Sequence, residues 1–96
     1  MERIELEVFS EAGNFSIVRP CGRKFPGSVV QGDSLSILYS CAEAIRKNAV
    51  SLGNEDLLDN AEELARLIGA RLMHYQGVLD LHGIELPFNR VEFADA

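Results

Sequence analysis

From Asn54 to Leu81 the apolar positions return every three or four residues, so that Leu57, Ala61, Leu64, Ile68, Leu72, Tyr75 and Leu79 share one narrow face at about 100° per residue. The spacing predicts an amphipathic helix with a buried seam. Asn54 suits the N-cap, where its side-chain oxygen can accept an otherwise unpaired backbone N–H. Glu55, Asp56, Asp59, Glu62 and Glu63 crowd the end where the helix dipole is positive, and Arg66, Arg71, His74 and His82 come later. Gly83 is expected as the left-handed residue that closes the helix, with Pro87 barring continuation. Gly69 and Gly77 each cost up to ~1 kcal/mol against alanine, which leaves room for a bend or an earlier end near Gly77.

A preceding pattern, Asp33 to about Leu52, has a much wider apolar arc: Leu35, Ile37, Leu38, Cys41, Ala42, Ala44, Ile45, Ala49 and Leu52. This helix is expected to touch two neighbours and to fold back against the other across Leu52-Gly53-Asn54. Asp33 is the expected N-cap, its carboxylate accepting from the N–H of Leu35 or Ser36. Tyr39, Glu43, Arg46, Lys47 and Val50 form the outer strip, with Glu43 and Lys47 at the favourable i,i+4 spacing.

At the start of the chain the period changes to two. Arg3 to Phe9 places Ile4, Leu6 and Val8 on one face and Glu5 and Glu7 on the other, the pattern of a half-buried strand. Ser10-Glu11-Ala12-Gly13-Asn14 is turn chemistry, after which Phe15, Ile17 and Val18 resume strand character. Arg19 to Gly27 holds two prolines, two glycines and three cations, and reads as an irregular loop. Ser28 to Gln31 is a candidate third strand. The tail alternates at Ile84, Leu86 and Phe88, then at Val91 and Phe93, too apolar for a free end. It is expected to dock on its own domain, as an edge strand ended by Pro87 or as an extended segment, or to cross to a partner subunit. The sum is an α+β domain: a small antiparallel sheet of two or three strands covered by an antiparallel helical hairpin, in the order ββ(β)αα with the tail last. A single domain is expected over 1–96, with sheet and loop in 1–32, the hairpin in 33–82 and the docking tail in 83–96.

Charge narrows the function classes. The formal net charge is −6, with a pI near 4.8. Glu2, Glu5, Glu7 and Glu11 balance Arg3, Arg19, Arg23 and Lys24, so residues 1–32 are neutral and the excess negative charge lies on the helical part and tail. An acidic chain of this kind is not expected to bind nucleic acid or an anionic membrane, both of which need a positive footprint. Two cysteines, Cys21 and Cys41, make no disulfide framework and read as reduced thiols. The first residues alternate charged and apolar, so no signal peptide is expected, and no apolar run is long enough to span a bilayer. A cytoplasmic protein is the economical expectation.

Gly27-Ser28-Val29-Val30-Gln31-Gly32-Asp33-Ser34 has the glycine spacing and terminal serine of a phosphate loop, but Asp33 stands where the lysine belongs and would repel phosphate. Strand, turn and N-cap explain the same residues. His74, His82, Cys21 and Cys41 have no metal-ligand spacing, and the two histidines point to different sides of their helix, so no metal and no cofactor is expected. Nucleophilic catalysis finds no Gly-x-Ser-x-Gly elbow, and Cys21 beside Arg23 and Lys24 reads as an ordinary loop cysteine. No catalytic residue is assigned. The run Gly22-Arg23-Lys24-Phe25-Pro26-Gly27-Ser28-Val29-Val30-Gln31-Gly32-Asp33-Ser34-Leu35, after a strand beginning Ile4-Glu5-Leu6-Glu7-Val8-Phe9, resembles that of short uncharacterised bacterial proteins of about this length. The resemblance spans most of the chain and implies a bacterial, cytoplasmic, single-domain protein, with no activity, cofactor or catalytic residue to carry over.

Three functions remain open. The first is a non-enzymatic interaction or accessory module. On it, a second stripe of the later helix, Leu67, Ala70, His74, Val78 and Leu81, needs a cover that one neighbouring helix cannot supply, and packs against its copy in a symmetric homodimer. Otherwise the tail covers that stripe. The second is a regulatory domain binding a small acidic ligand or an acidic protein surface through Arg19, Arg23, Lys24 and Phe25. In that loop, however, Phe25 could equally plug the core, and the cations could merely neutralise nearby acids. The third is an enzyme with a dispersed site, which a carboxyl group with a strongly raised pKa would reveal.

Overall fold

The computed structural model describes residues 2–11 and 13–93. Three strands, β1 (Leu6–Ser10), β2 (Ile17–Pro20) and β3 (Gly27–Ser28), precede two helices, α1 (Gly32–Leu52) and α2 (Glu55–Leu81). The protein is α+β, with an antiparallel sheet in the order β1-β2-β3. The chain divides into two compact units, residues 1–31 and 32–96.

In the first unit, β1 begins three residues later than its alternation suggests, and a single 3₁₀ turn, Gly13–Phe15, leads into β2. Ala12, in the middle of the expected turn, lies outside the described residues. Leu6 opposes Pro20, Glu7 opposes Arg19 and Val8 opposes Val18, but Ser10 opposes Ile17, so Phe9 is the extra residue of a bulge. The third strand is shorter than expected and displaced toward the loop, Gly27 pairing with Val18 and Ser28 with Ile17. One further bond, from the Val29 N–H to the Ser16 carbonyl at 2.9 Å, prolongs that edge. The apolar alternation of β1 does not produce burial: Ile4, Leu6 and Val8 are all exposed. A short, bulged sheet of this kind has too little inner surface to bury side chains by itself.

In the second unit the helical hairpin is closed by small residues. Ala42 and Ala49 of α1 and Ala61, Ala65 and Gly69 of α2 are buried, and Leu72 is the one large side chain fully removed from solvent among the described residues. The seam of α2 is therefore rotated from the expected one. Ala61, Ile68, Leu72, Tyr75 and Leu79 do face inward, but Leu57 and Leu64 stay 37% and 43% exposed, and Ala65, Gly69 and Gln76 take the buried positions. Small side chains let the helix backbones approach closely, and close approach narrows the stripe each helix can bury. For the same reason the wide arc of α1 is not buried as expected. Leu35, Ala42 and Ala49 are inside, while Ile37, Leu38, Cys41, Ile45 and Leu52 are exposed.

The ends of α2 follow their sequence signals. Asn54, extended at φ −95° and ψ 108°, accepts the Leu57 N–H on Oδ1 at 3.0 Å. At the other end the Ile84 N–H reaches the Leu79 carbonyl at 2.9 Å and the Gly83 N–H the Asp80 carbonyl at 3.2 Å, with Gly83 at φ 66°. That pair of bonds is a Schellman closure, which glycine adopts without steric cost. No break occurs at Gly77. At α1 the expectation was wrong in detail: the helix starts at Gly32, and Asp33 Oδ1 accepts from the adjacent Ser34 N–H at 2.8 Å, inside the first turn. Gly32 is buried under the end of the Tyr75 ring, where a β-carbon would lie 2.2 Å from Cζ. That close approach accounts for one glycine of the apparent phosphate loop.

The tail docks on its own hairpin, as an extended segment and not as an edge strand. Gln76 is its latch: Oε1 accepts the Val91 N–H at 2.8 Å, and Nε2 donates to the Val91 carbonyl at 3.1 Å. Phe88 stacks on Tyr75 with centroids 6.1 Å apart, Phe93 tilts against Tyr39 at 5.3 Å, and Arg90 pairs with Asp80. The last three tail positions, 94–96, lie outside the described residues.

Candidate functional site

The stripe singled out on α2 is solvent-facing throughout. Leu67 is 43% exposed, Val78 37% and Leu81 81%, and Ala70 and His74 are also exposed. The tail, the cover that the sequence offered for them, lies elsewhere. Its partners on α2 are Gly69, Tyr75, Gln76 and Asp80, and two positions along a helix are about 200° around it, so Gly69 faces away from Leu67 and Gln76 away from His74. Leu57 and Leu64, on the neighbouring seam-side flank of α2, and Leu38, Ile45 and Leu52 of α1 are further exposed apolar side chains.

The cationic loop is a different case. Glu7 and Arg19 stand opposite each other in the β1–β2 register, and the guanidinium holds the carboxylate in a two-point bridge, Nε to Oε1 at 3.0 Å and Nη2 to Oε2 at 2.8 Å. Arg19 also lies 5.3 Å from the centroid of the Phe9 ring and reaches the Lys24 carbonyl at 3.4 Å. These contacts hold the Glu7 carboxyl below the usual carboxylate range, chiefly through its hydrogen bonds to Arg19. Arg19 thus ties the loop to β1. Phe25 is 74% exposed and carries Lys24 Nζ 5.4 Å from its ring centroid. Among the described residues, Arg23 and Lys24 form no ion pair.

A groove that sequence reasoning missed lies on the hairpin beside Phe93. About 750 Å³ in volume, it is floored by Ala65 and Gly69, walled by Tyr39, Phe93 and Met73, and rimmed by Glu43, Arg46, Asp59, Glu62, Glu63 and Arg66. Both arginines are already paired on their own helices, Arg46 with Glu43 at 2.9 Å and Arg66 with Glu63. The Glu43 carboxyl is held below its ordinary range by hydrogen bonds to Arg46, and burial pushes the Tyr39 phenol up, with the Glu43 charge adding to it. Ala70 belongs to both the groove and the stripe. Nothing in the periodicity could have found this site, because its walls include a residue from the tail.

Among the described residues, no three His, Cys, Asp or Glu side chains are grouped as a metal site would need, and no helix is long and apolar enough to cross a membrane. A family model described as a family of unknown function, DUF6959, matches residues 1–88, which takes in the sheet, both helices and the tail as far as Phe88. The chain belongs to DUF6959. The DUF6959 match takes in Gln76 but stops short of Val91 and Phe93, so the latch's partner and the tail's wall of the groove lie beyond it. No curated protein and no solved structure matches the chain.

Proposed function

We propose that this protein is a small cytoplasmic interaction module without catalytic activity of its own, and that it self-associates through the outer face of α2. The observation that carries this reading is the position of Leu67, Val78 and Leu81: exposed, on one side of a helix whose opposite side receives the tail. Isolated surface leucines need no explanation, but Leu67, Val78 and Leu81 on one side of a single helix, with Ala70 and His74 between them, form the kind of apolar surface that marks an interface. A two-fold arrangement would set each stripe against its own copy, with His74 of both protomers near the axis. The remaining acidic surface would keep such a dimer soluble.

Leu67→Glu tests the reading. The change places a charge on the stripe at a residue already 43% exposed, so the variant keeps its helical circular dichroism while its apparent mass falls from dimer to monomer. A variant that still dimerises as the wild type does would show that the stripe is not the interface.

A further inference from the structure

The groove beside Phe93 has a lining that selects the chemistry of an occupant. Its floor and walls are apolar or aromatic, Ala65, Gly69, Tyr39, Phe93 and Met73, and its rim holds four carboxylates against two guanidinium groups that are already paired. Glu43 and Glu63 are the partners of those arginines, which leaves Asp59 and Glu62 as the surplus. The helix dipole does not account for them. Its effect fades within the first turn, which Glu55 and Asp56 occupy, whereas Asp59 and Glu62 stand in the second. Glu62 is near enough to Arg46 to act on it through space, yet the rim as a whole remains negative by two charges.

We propose that this groove receives a basic amphipathic peptide segment of a partner protein. An apolar side chain of the segment lies against Tyr39, Met73 and Phe93, and a flanking arginine or lysine meets Asp59 and Glu62. Charge complementarity argues for this occupant: an acidic segment would be repelled by the rim, and a purely apolar one would leave two carboxylates desolvated without partners. The aromatic pair adds to the preference, since a cation near the face of Tyr39 or Phe93 gains from the ring quadrupole. The site shares only Ala70 with the dimer stripe, and the residues that select its occupant, Tyr39, Asp59, Glu62, Met73 and Phe93, lie outside that stripe, so it is tested separately from self-association.

The test is an amide-resonance titration with three synthetic peptides: one amphipathic and built of arginine and leucine, a second with glutamate in place of arginine, and a third with serine in place of leucine. The expected result is that only the first peptide shifts Tyr39, Gly69, Met73 and Phe93 in a saturable way. Added salt should weaken its binding, and the double change Asp59→Lys with Glu62→Lys should weaken it by about tenfold. Repeating the titration on the Leu67→Glu protein keeps the result independent of dimerisation. The proposal is overturned if the arginine–leucine peptide leaves these resonances unmoved, if its shifts spread over Glu85 and Glu92 as much as over the groove, if either control peptide binds as well, or if the double variant binds undiminished.

Discussion

Tyr39 lies across Gly69 so closely that a β-carbon there would stand 2.9 Å from the ring's Cε1, with Phe93 Cε1 a further neighbour at 3.7 Å. Gly77, eight positions on in the same helix, has no atom within 4 Å of that place. The two glycines should therefore respond oppositely to alanine. Gly77→Ala is expected to stabilise by up to ~1 kcal/mol through helix propensity alone. Gly69→Ala gains the same propensity but overpacks a ring held against Phe93, a cost of about 1–3 kcal/mol, and is expected to be net destabilising. Urea unfolding of the two variants checks the signs.

The tail depends on Gln76. Gln76→Leu keeps the volume but removes both bonds to Val91, leaving a backbone N–H and carbonyl without partners unless the tail lifts into water. A loss of about 1–3 kcal/mol is expected. Hydrogen exchange should show the Val91 amide losing its protection while amides in the middle of α2 keep theirs. Unchanged protection at Val91 would mean that the aromatic contacts of Phe88 and Phe93 hold the tail unaided.

The two helix starts should differ in their sensitivity. Asn54→Ala removes a side-chain acceptor from the Leu57 N–H and should cost about 1 kcal/mol. Asp33 bonds only the neighbouring Ser34 N–H and is otherwise favoured by the dipole, so Asp33→Ala should cost less, about 0.3–1 kcal/mol at low salt. Thermal unfolding at low and high salt separates them, because the dipole contribution is screened and the cap bond much less so.

Acid should weaken the hairpin in a defined way. The Glu43 carboxyl is held below its ordinary range by Arg46, so it binds protons less readily folded than unfolded. Its contribution is fully present above the unfolded carboxylate pKa of about 4.3 and is lost as the pH falls through the lower folded value. Glu43→Gln should flatten that acid limb in a plot of stability against pH.

What the chain revealed by pattern and what it hid follow from the range of the interactions. The ends of α2 were legible because a cap is local: Asn54 and Gly83 act on atoms within a few residues. The stripe Leu67, Ala70, His74, Val78 and Leu81 was legible because it is a periodic feature of one helix, and the fold class because periods of two and 3.6 separate sheet from helices. The seam was read in part. Ala65 and Gly69 are too small to stand out in a hydrophobic pattern, and Gln76 reads as polar surface until its partner, Val91, is known. The cap at Asp33 was misplaced by two positions because Gly32 joins the helix beneath Tyr75, a contact between residues far apart in sequence. The groove needed the course of the tail and could not be read from either helix.

Self-association through α2 is the central claim, and light scattering on the purified wild-type chain across a range of concentrations addresses it most directly. The account predicts a mass rising to twice the 10.6 kDa of one chain, with the transition abolished by Leu67→Glu. A wild-type protein that remains at 10.6 kDa up to hundreds of micromolar would contradict it.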